Sequence, residues 1–154
     1  MTDDAFHGQP IDIVTLHRID ADPRARTFIH DRTRQAQLAG AIPDRAMPED
    51  DSMATIAVTP SNHWAGFATW YETNTKQLWL DVLWVDPAWR RRGVAMRLLE
   101  AVRQASRQAK LRGVATGHFE GNAPMVALMQ RAGWPVDHIV RAIPADALFA
   151  RTEA

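Results

Sequence analysis

The sequence predicts an α+β fold, a mixed, mostly antiparallel central sheet of about seven strands flanked by helices. Two observations carry most of that reading. Met53 to Val58, Trp64 to Tyr71 and Lys76 to Val85 are rich in apolar and aromatic residues and are separated by the turn formers Pro60-Ser61-Asn62 and Glu72-Thr73-Asn74-Thr75. Three strands joined so closely form an antiparallel meander. Residues 76 to 119 then read strand, helix, strand, and two strands linked through a helix lie parallel with a right-handed crossover.

Each remaining element has its own signal. Ile11 to Leu16 alternates Ile11, Ile13 and Thr15 against Asp12 and Val14, the pattern of a first strand. Asp22-Pro23 opens a helix that runs to about Ala39 and stops at Gly40. Residues 40 to 52 are rich in breakers and acids, so they form a loop able to cover a site. From Gly93 to Lys110 the residues Ala95, Leu98, Leu99, Val102, Ala105 and Ala109 recur at helical spacing, with Arg97, Glu100, Arg103 and Arg107 opposite. That is an amphipathic helix packed at the surface of the domain. Val114 to Phe119 is the parallel strand. Asn122 caps the next helix, Pro124 suits its first turn, and Gly133 ends it after Arg131. A hairpin of Val136 to Ala142 and Ala147 to Thr152 completes residues 1–154 as one domain, and its edges can pair in a homodimer.

Composition narrows the function classes. With no cysteine there is neither a disulfide nor a thiol nucleophile, which fits a reducing cytoplasm. No apolar run reaches the roughly 20 residues of a membrane span, and the start Met1-Thr2-Asp3-Asp4 is acidic, unlike a secretory signal. The formal charge of zero gives no general attraction to nucleic acid or an anionic membrane, despite Arg24, Arg26, Arg32, Arg34 and the Arg90 to Arg92 run. The six histidines lack ligand-like spacing, so no metal is expected.

The densest chemical signal is Trp84-Val85-Asp86-Pro87-Ala88-Trp89-Arg90-Arg91-Arg92-Gly93-Val94-Ala95. An apolar strand breaks at proline, turns through three arginines and a glycine, and enters a helix. The glycine permits close backbone approach, and the new helix offers unpaired amides and a dipole that favours an anion by roughly 0.3 to 1 kcal/mol per charge. The arginines add charge that does not titrate near neutrality. Such a turn is a pyrophosphate cradle.

The stretch Arg90-Arg91-Arg92-Gly93-Val94-Ala95 fits the signature Arg/Gln-x-x-Gly-x-Gly/Ala. A second motif follows in Asn122-Ala123-Pro124-Met125-Val126-Ala127-Leu128-Met129-Gln130-Arg131-Ala132-Gly133-Trp134. At this separation, with the strand before and the helix after, the pair resembles the GNAT superfamily of acyl-CoA-dependent N-acyltransferases over roughly residues 53 to 134. The resemblance implies acetyl-CoA as co-substrate and a primary amine as acceptor. It implies that backbone groups at Leu83, Trp84 and Val85 pair with the pantetheine arm, that the Arg90, Arg91, Arg92, Gly93, Val94, Ala95 and Met96 segment holds the pyrophosphate, and that Asn122 and Met129 border the cofactor. An amide near Trp84 or Val85 would polarise the thioester carbonyl.

Two residues are candidates for the base. Asp81 stands two residues before Leu83, where many members of the family carry glutamate, and simple alternation puts it on one face with Gln77, Trp79 and Leu83. Apolar neighbours raise a carboxyl pKa, as a base working near neutrality needs. His118, near the end of the parallel strand, titrates in the right range without a large shift, and Glu120 is a third, weaker candidate. Trp79 and Trp84 flank Asp81 and can line an acceptor pocket, although tryptophans on a sheet are first of all packing residues and most of the six are expected in the core. At Met129 the sequence departs from the family, whose usual tyrosine there donates a proton to the departing thiolate. Methionine has no proton to give, so water or another residue, Tyr71 included, must substitute.

The reading is an N-acetyltransferase that works by direct attack of a small-molecule amine on acetyl-CoA. Two others stay open. The domain can hold acyl-CoA as a non-catalytic sensor, which the loss of tyrosine at Met129 favours, or its acceptor can be a protein amine.

Overall fold

The computed structural model describes residues 10–42, 47–118 and 122–136. Five strands form one sheet in sequence order: β1 (Asp12–Leu16), β2 (Met53–Val58), β3 (Trp64–Glu72), β4 (Leu78–Val85) and β5 (Val114–Thr116). Neighbours are antiparallel except β4 and β5, which run parallel across α2 (Val94–Gln108). The two strands predicted over residues 136 to 152 lie outside the described residues, apart from Val136 at the edge.

The helices begin and end where the sequence punctuates them. The α1 helix (Pro23–Leu38) starts with the Asp22 carboxylate accepting the Arg24 N–H at 2.9 Å, and Ala25, Ile29, Thr33 and Gln37 form its buried stripe. The α3 helix (Ala123–Ala132) starts with Asn122 Oδ1 accepting the Met125 N–H at 3.3 Å. It ends at Gly133, whose φ of +72° lets the Trp134 N–H return to the Met129 carbonyl at 2.9 Å. A short 3-10 turn, Ile19–Ala21, precedes α1 and has no clear signal in the sequence.

Helices cover both faces of the sheet. On one, Ala25 and Ile29 of α1 pack with Ala54, Ile56, Phe67 and Val82. On the other, Leu98, Leu99 and Val102 of α2 and Leu128 and Met129 of α3 pack with Ala57, Ala68, Trp70, Leu78 and Leu80. Gly66 makes close packing possible on the second face, because a β carbon there would lie 2.7 Å from the Trp84 carbonyl oxygen and 3.3 Å from Leu98 Cδ1.

Simple alternation along β4 is overturned at Asp81. Thr69 pairs with Val82 and Trp70 with Leu80, which leaves Asp81 as the extra residue of a β-bulge. Leu80 therefore joins the α2 side and Val82 the α1 side, although they are two residues apart. Leu83 packs on the α2 side, so it does not share a face with Asp81 and Trp79 as alternation required. Most of the tryptophans belong to the core or its margin, Trp64 and Trp84 packing against the α1-side cluster and Trp89 and Trp134 against the α2-side one. Trp70 is buried, whereas Trp64, Trp79, Trp84, Trp89 and Trp134 are each half-buried.

Candidate active site

The candidate site lies where the pairing of two parallel strands ends. Pairing of β4 with β5 covers only Leu78 to Leu80 against Val114 to Thr116. The last rung is closed by the Thr116 hydroxyl, which donates to the Leu80 carbonyl at 2.9 Å. Beyond it lies the bulge at Asp81, and the strand predicted to continue to Phe119 has ended at Thr116. From Asp81 to Trp84 the outer edge of β4 has no strand beside it among the described residues, and an edge of this kind accepts an added strand.

At the far end of that edge, the loop turns through Arg91 (φ +60°) and Gly93 (φ +77°) before α2 starts. Gly93 is the N-cap and gives no side-chain hydrogen bond, and a β carbon there would meet nothing within 4 Å. The first helical bond shared with the cap is Arg97 N–H to Gly93 carbonyl at 3.1 Å. The N–H groups of Val94, Ala95 and Met96 precede it and face a cap that supplies no acceptor side chain. Arg90 and Arg91 are exposed and Arg92 half-buried, its guanidinium 5.0 Å from the centre of the Trp89 ring. Arg90 folds back, its Nε donating to the Val85 carbonyl at 3.1 Å.

Asp81 lies within electrostatic reach of Tyr71 and Glu49. Tyr71 is the cross-strand partner of Trp79. The edge of the Trp79 ring lies over Gly117, at 3.5 Å from where a β carbon would stand. The segment carrying Glu49 is pinned by Asp50, whose carboxylate accepts from Arg26 Nε at 2.8 Å and whose carbonyl accepts from the Asp20 N–H at 3.2 Å. Burial pushes the Asp81 carboxyl up from 3.8 to about 6, and the Glu49 charge adds to the effect. Burial and the charges of Asp81 and Glu49 likewise raise the Tyr71 phenol. Neither Glu49 nor Tyr71 has a motif to announce it as a neighbour of Asp81, since only the folded register brings them there.

Other expected residues are placed differently from one another. His118 follows β5 as an exposed residue next to Gly117, so it is near the end of the β4–β5 pairing. Glu120 lies outside the described residues. Trp84 sits in an aromatic cluster, 5.7 Å from Phe28 and stacked on Phe67 at 5.9 Å, with Arg32 5.5 Å above its ring. Asn122 is engaged at both ends of its amide, capping α3 and donating to the Ala41 carbonyl at 3.3 Å, which ties the loop after α1 to the start of α3. Met129 is buried in the α2-side core. A separate open groove of about 710 Å³ lies between α1 and the β2–β3 turn, lined by Arg24, Phe28, Arg32, His63 and Trp64 among others, and Asp81 does not line it. No group of residues suited to a metal occurs among the described residues, and no described helix is long and apolar enough to cross a membrane.

The fold is thus an antiparallel meander that enters a short parallel pair beside a helix start with no side-chain cap. The family model for the acetyltransferase (GNAT) family matches residues 14–134, and the chain belongs to that family, whose members are acyl-CoA-dependent N-acetyltransferases. No curated protein matches it. Among solved structures, the fold is similar to aminoglycoside acetyltransferase AAC(6')-Iy in complex with a CoA-linked bisubstrate analogue, at 22% identity and a TM-score of 0.61 over 88% of this chain and 97% of that one. An aminoglycoside acetyltransferase from an uncultured soil metagenomic sample is 18% identical, with a TM-score of 0.66 over 88% and 99%. A ribosomal-protein-alanine N-acetyltransferase from Brucella melitensis biovar Abortus is 17% identical, with a TM-score of 0.65 over 88% and 99%.

Proposed function

We propose that this acetyltransferase moves an acetyl group from acetyl-CoA to a primary amine of a small molecule, with Asp81 as the base. The observation that carries the reading is the bulge. The extra residue in β4 stands just past the last rung with β5 and carries a carboxyl of raised pKa, while Leu83 packs on the α2 side. Donor and acceptor therefore approach the end of that pairing from different sides. The open cap at Gly93 fits a pyrophosphate, and the β4 edge from Asp81 to Trp84, which has no strand beside it among the described residues, fits an extended amide-bearing arm.

The chemistry follows from the residues. Asp81 takes a proton from the acceptor ammonium, directly or through one water, since its side chain is short. The freed nitrogen attacks the thioester carbon while a β4 amide stabilises the developing oxyanion. The tetrahedral carbon then expels the thiolate; the attacking nitrogen gives up its surplus proton to water, and water protonates the thiolate because Met129 offers no proton. A thiol pKa near ~8.5 makes that departure tolerable without an acid. Trp79 and Tyr71 supply aromatic faces, and Glu49 a second negative charge, for a cationic acceptor. The aminoglycoside enzymes among the structural neighbours act on small amines, in keeping with this acceptor class.

Methionine at position 129, where the family has tyrosine, favours one rival, a domain that binds acyl-CoA without turnover. Calorimetry tests the donor site common to both readings. Acetyl-CoA should bind the wild-type protein with one-to-one stoichiometry, and Gly93→Glu should abolish binding by filling the open cap with a negative side chain while the fold survives. Unchanged affinity in a folded Gly93→Glu protein removes the donor site from this loop.

A further inference from the structure

The Arg90 to Gly93 loop is held by more than its own backbone. His63, in the β2–β3 turn, places Nε2 2.8 Å from Asp86 Oδ2, and its ring lies parallel to Trp89 at 6.2 Å with 27° between the planes. Asp86 spends its other oxygen on the Ala88 N–H at 2.9 Å, and its own N–H donates to the Ala65 carbonyl at 2.8 Å. The opposite end of the assembly is Arg92, stacked at 5.0 Å from Trp89. A continuous chain of contacts therefore runs from His63 through Asp86 and Trp89 to Arg92, one residue from the Gly93 cap.

Resting on the donor site proposed above, we infer that His63 is a positioning residue for the acetyl-CoA pyrophosphate: its bond to Asp86 and its stack on Trp89 fix the turn that aims the Arg92-Gly93 backbone. It touches neither reacting atom. Its effect passes through Trp89 and Asp86, so it should act on donor binding and leave the acceptor and the chemical step alone. Two supports are independent of each other. The hydrogen bond restrains the start of the turn, at Asp86, and the stack restrains its end, at Trp89. Asp86 is also an effective anchor as an anion. Burial would raise its carboxyl, but the Ala88 N–H, the His63 ring and the charges of His63 and Arg32 outweigh burial and hold it below the ordinary value.

The groups around His63 supply no obvious substitute for it. Arg24, Asp31 and Arg32 of α1 line the groove that His63 borders, and Arg32 already lies over Phe28 and Trp84. Replacing His63 thus removes both the bond to Asp86 and the ring that shares Trp89 with Arg92.

Acetyl-CoA titration of wild type, His63→Ala, His63→Gln and His63→Phe, with steady-state kinetics in a responsive amine, tests the inference. His63→Ala should weaken acetyl-CoA binding about 5- to 10-fold, the worth of one ordinary hydrogen bond, and raise the acetyl-CoA KM alike. Its kcat and amine KM should stay within about twofold. His63→Gln, which keeps a donor for Asp86, and His63→Phe, which keeps the stack, should each recover part of the loss. Unchanged affinity in His63→Ala overturns the inference, as does a fall in kcat equal to the rise in KM. Failure of the wild type to bind acetyl-CoA would instead overturn the donor site itself.

Discussion

Replacing Asp81 with asparagine should make the protein more stable and less active. The carboxyl is held at about 6 against an ordinary 3.8, chiefly by burial and then by Glu49. A displacement of that size corresponds to about 3 kcal/mol against ionisation. Part of the side chain still meets solvent, so about 1 to 2 kcal/mol is the share expected in folding stability. The sign follows from proton linkage. The native state holds this proton more tightly than the unfolded chain, so the contribution of Asp81 falls as pH rises from about 4 to about 6 and stays low above that. Asparagine removes the fall. At pH 8, Asp81→Asn should raise the melting temperature by about 2 to 8 °C, with little difference from wild type below about pH 4. In turnover the same change should lower kcat/KM about 10²- to 10⁴-fold at pH 7, the usual worth of a positioned base. The wild-type acidic limb near pH 6 should disappear, leaving a rate that climbs as free amine accumulates. Acetyl-CoA affinity should hardly move. Wild-type kinetics from pH 6 to 9 in Asp81→Asn, or a loss of stability, would refute this reasoning.

Three further expectations follow. His118→Ala should alter mainly the amine KM, measured in the same assay, and loss of the acidic limb there would move the base to His118. Met129→Ala should cost about 2 to 5 kcal/mol of stability as a core truncation, read by denaturant unfolding, with a far smaller loss of turnover per folded molecule than the ~10²-fold or more of a removed acid; Met129→Tyr should raise kcat if the hydroxyl reaches the sulfur and its bulk is accommodated. Gly66→Ala should destabilise by about 1 to 3 kcal/mol through overpacking, because the new methyl meets the Trp84 carbonyl oxygen at 2.7 Å, a backbone atom that cannot step aside; an unchanged melting temperature contradicts the close approach of β3 to the Trp84 carbonyl and to Leu98 of α2.

The parts of the fold that were legible are those written in local chemistry. Asp22-Pro23 and Asn122 each cap the helix that their side chains announce, and Gly133 adopts the left-handed φ that ends α3. The loop before α2 was legible for the same reason, because Gly93 and its arginines are consecutive in the chain. What alternation could not give was the bulge. Leu78-Trp79-Leu80-Asp81-Val82-Leu83-Trp84-Val85 is apolar at nearly every position, so a skipped residue leaves no mark in the pattern, and only pairing with Thr69 and Trp70 exposes it. The neighbours of Asp81 were hidden by distance along the chain. Glu49 comes from a loop whose place is set by Arg26 and Asp20, and Tyr71 comes from cross-strand register. His63 was likewise one of six scattered histidines until the β2–β3 turn carried it to Asp86.

The central claim is that the end of the β4–β5 pairing, an open helix cap and a half-buried carboxyl together transfer acetyl groups to amines. Free thiol released from acetyl-CoA, followed against a panel of small amines that includes polycationic ones, measures it directly. The account predicts multiple turnovers with at least one amine, thiol and N-acetylated amine forming in equal amounts, and a rate that collapses in both Gly93→Glu and Asp81→Asn. One-to-one binding of acetyl-CoA with no amine-dependent release across the panel would contradict it and leave the non-catalytic binding domain as the better description.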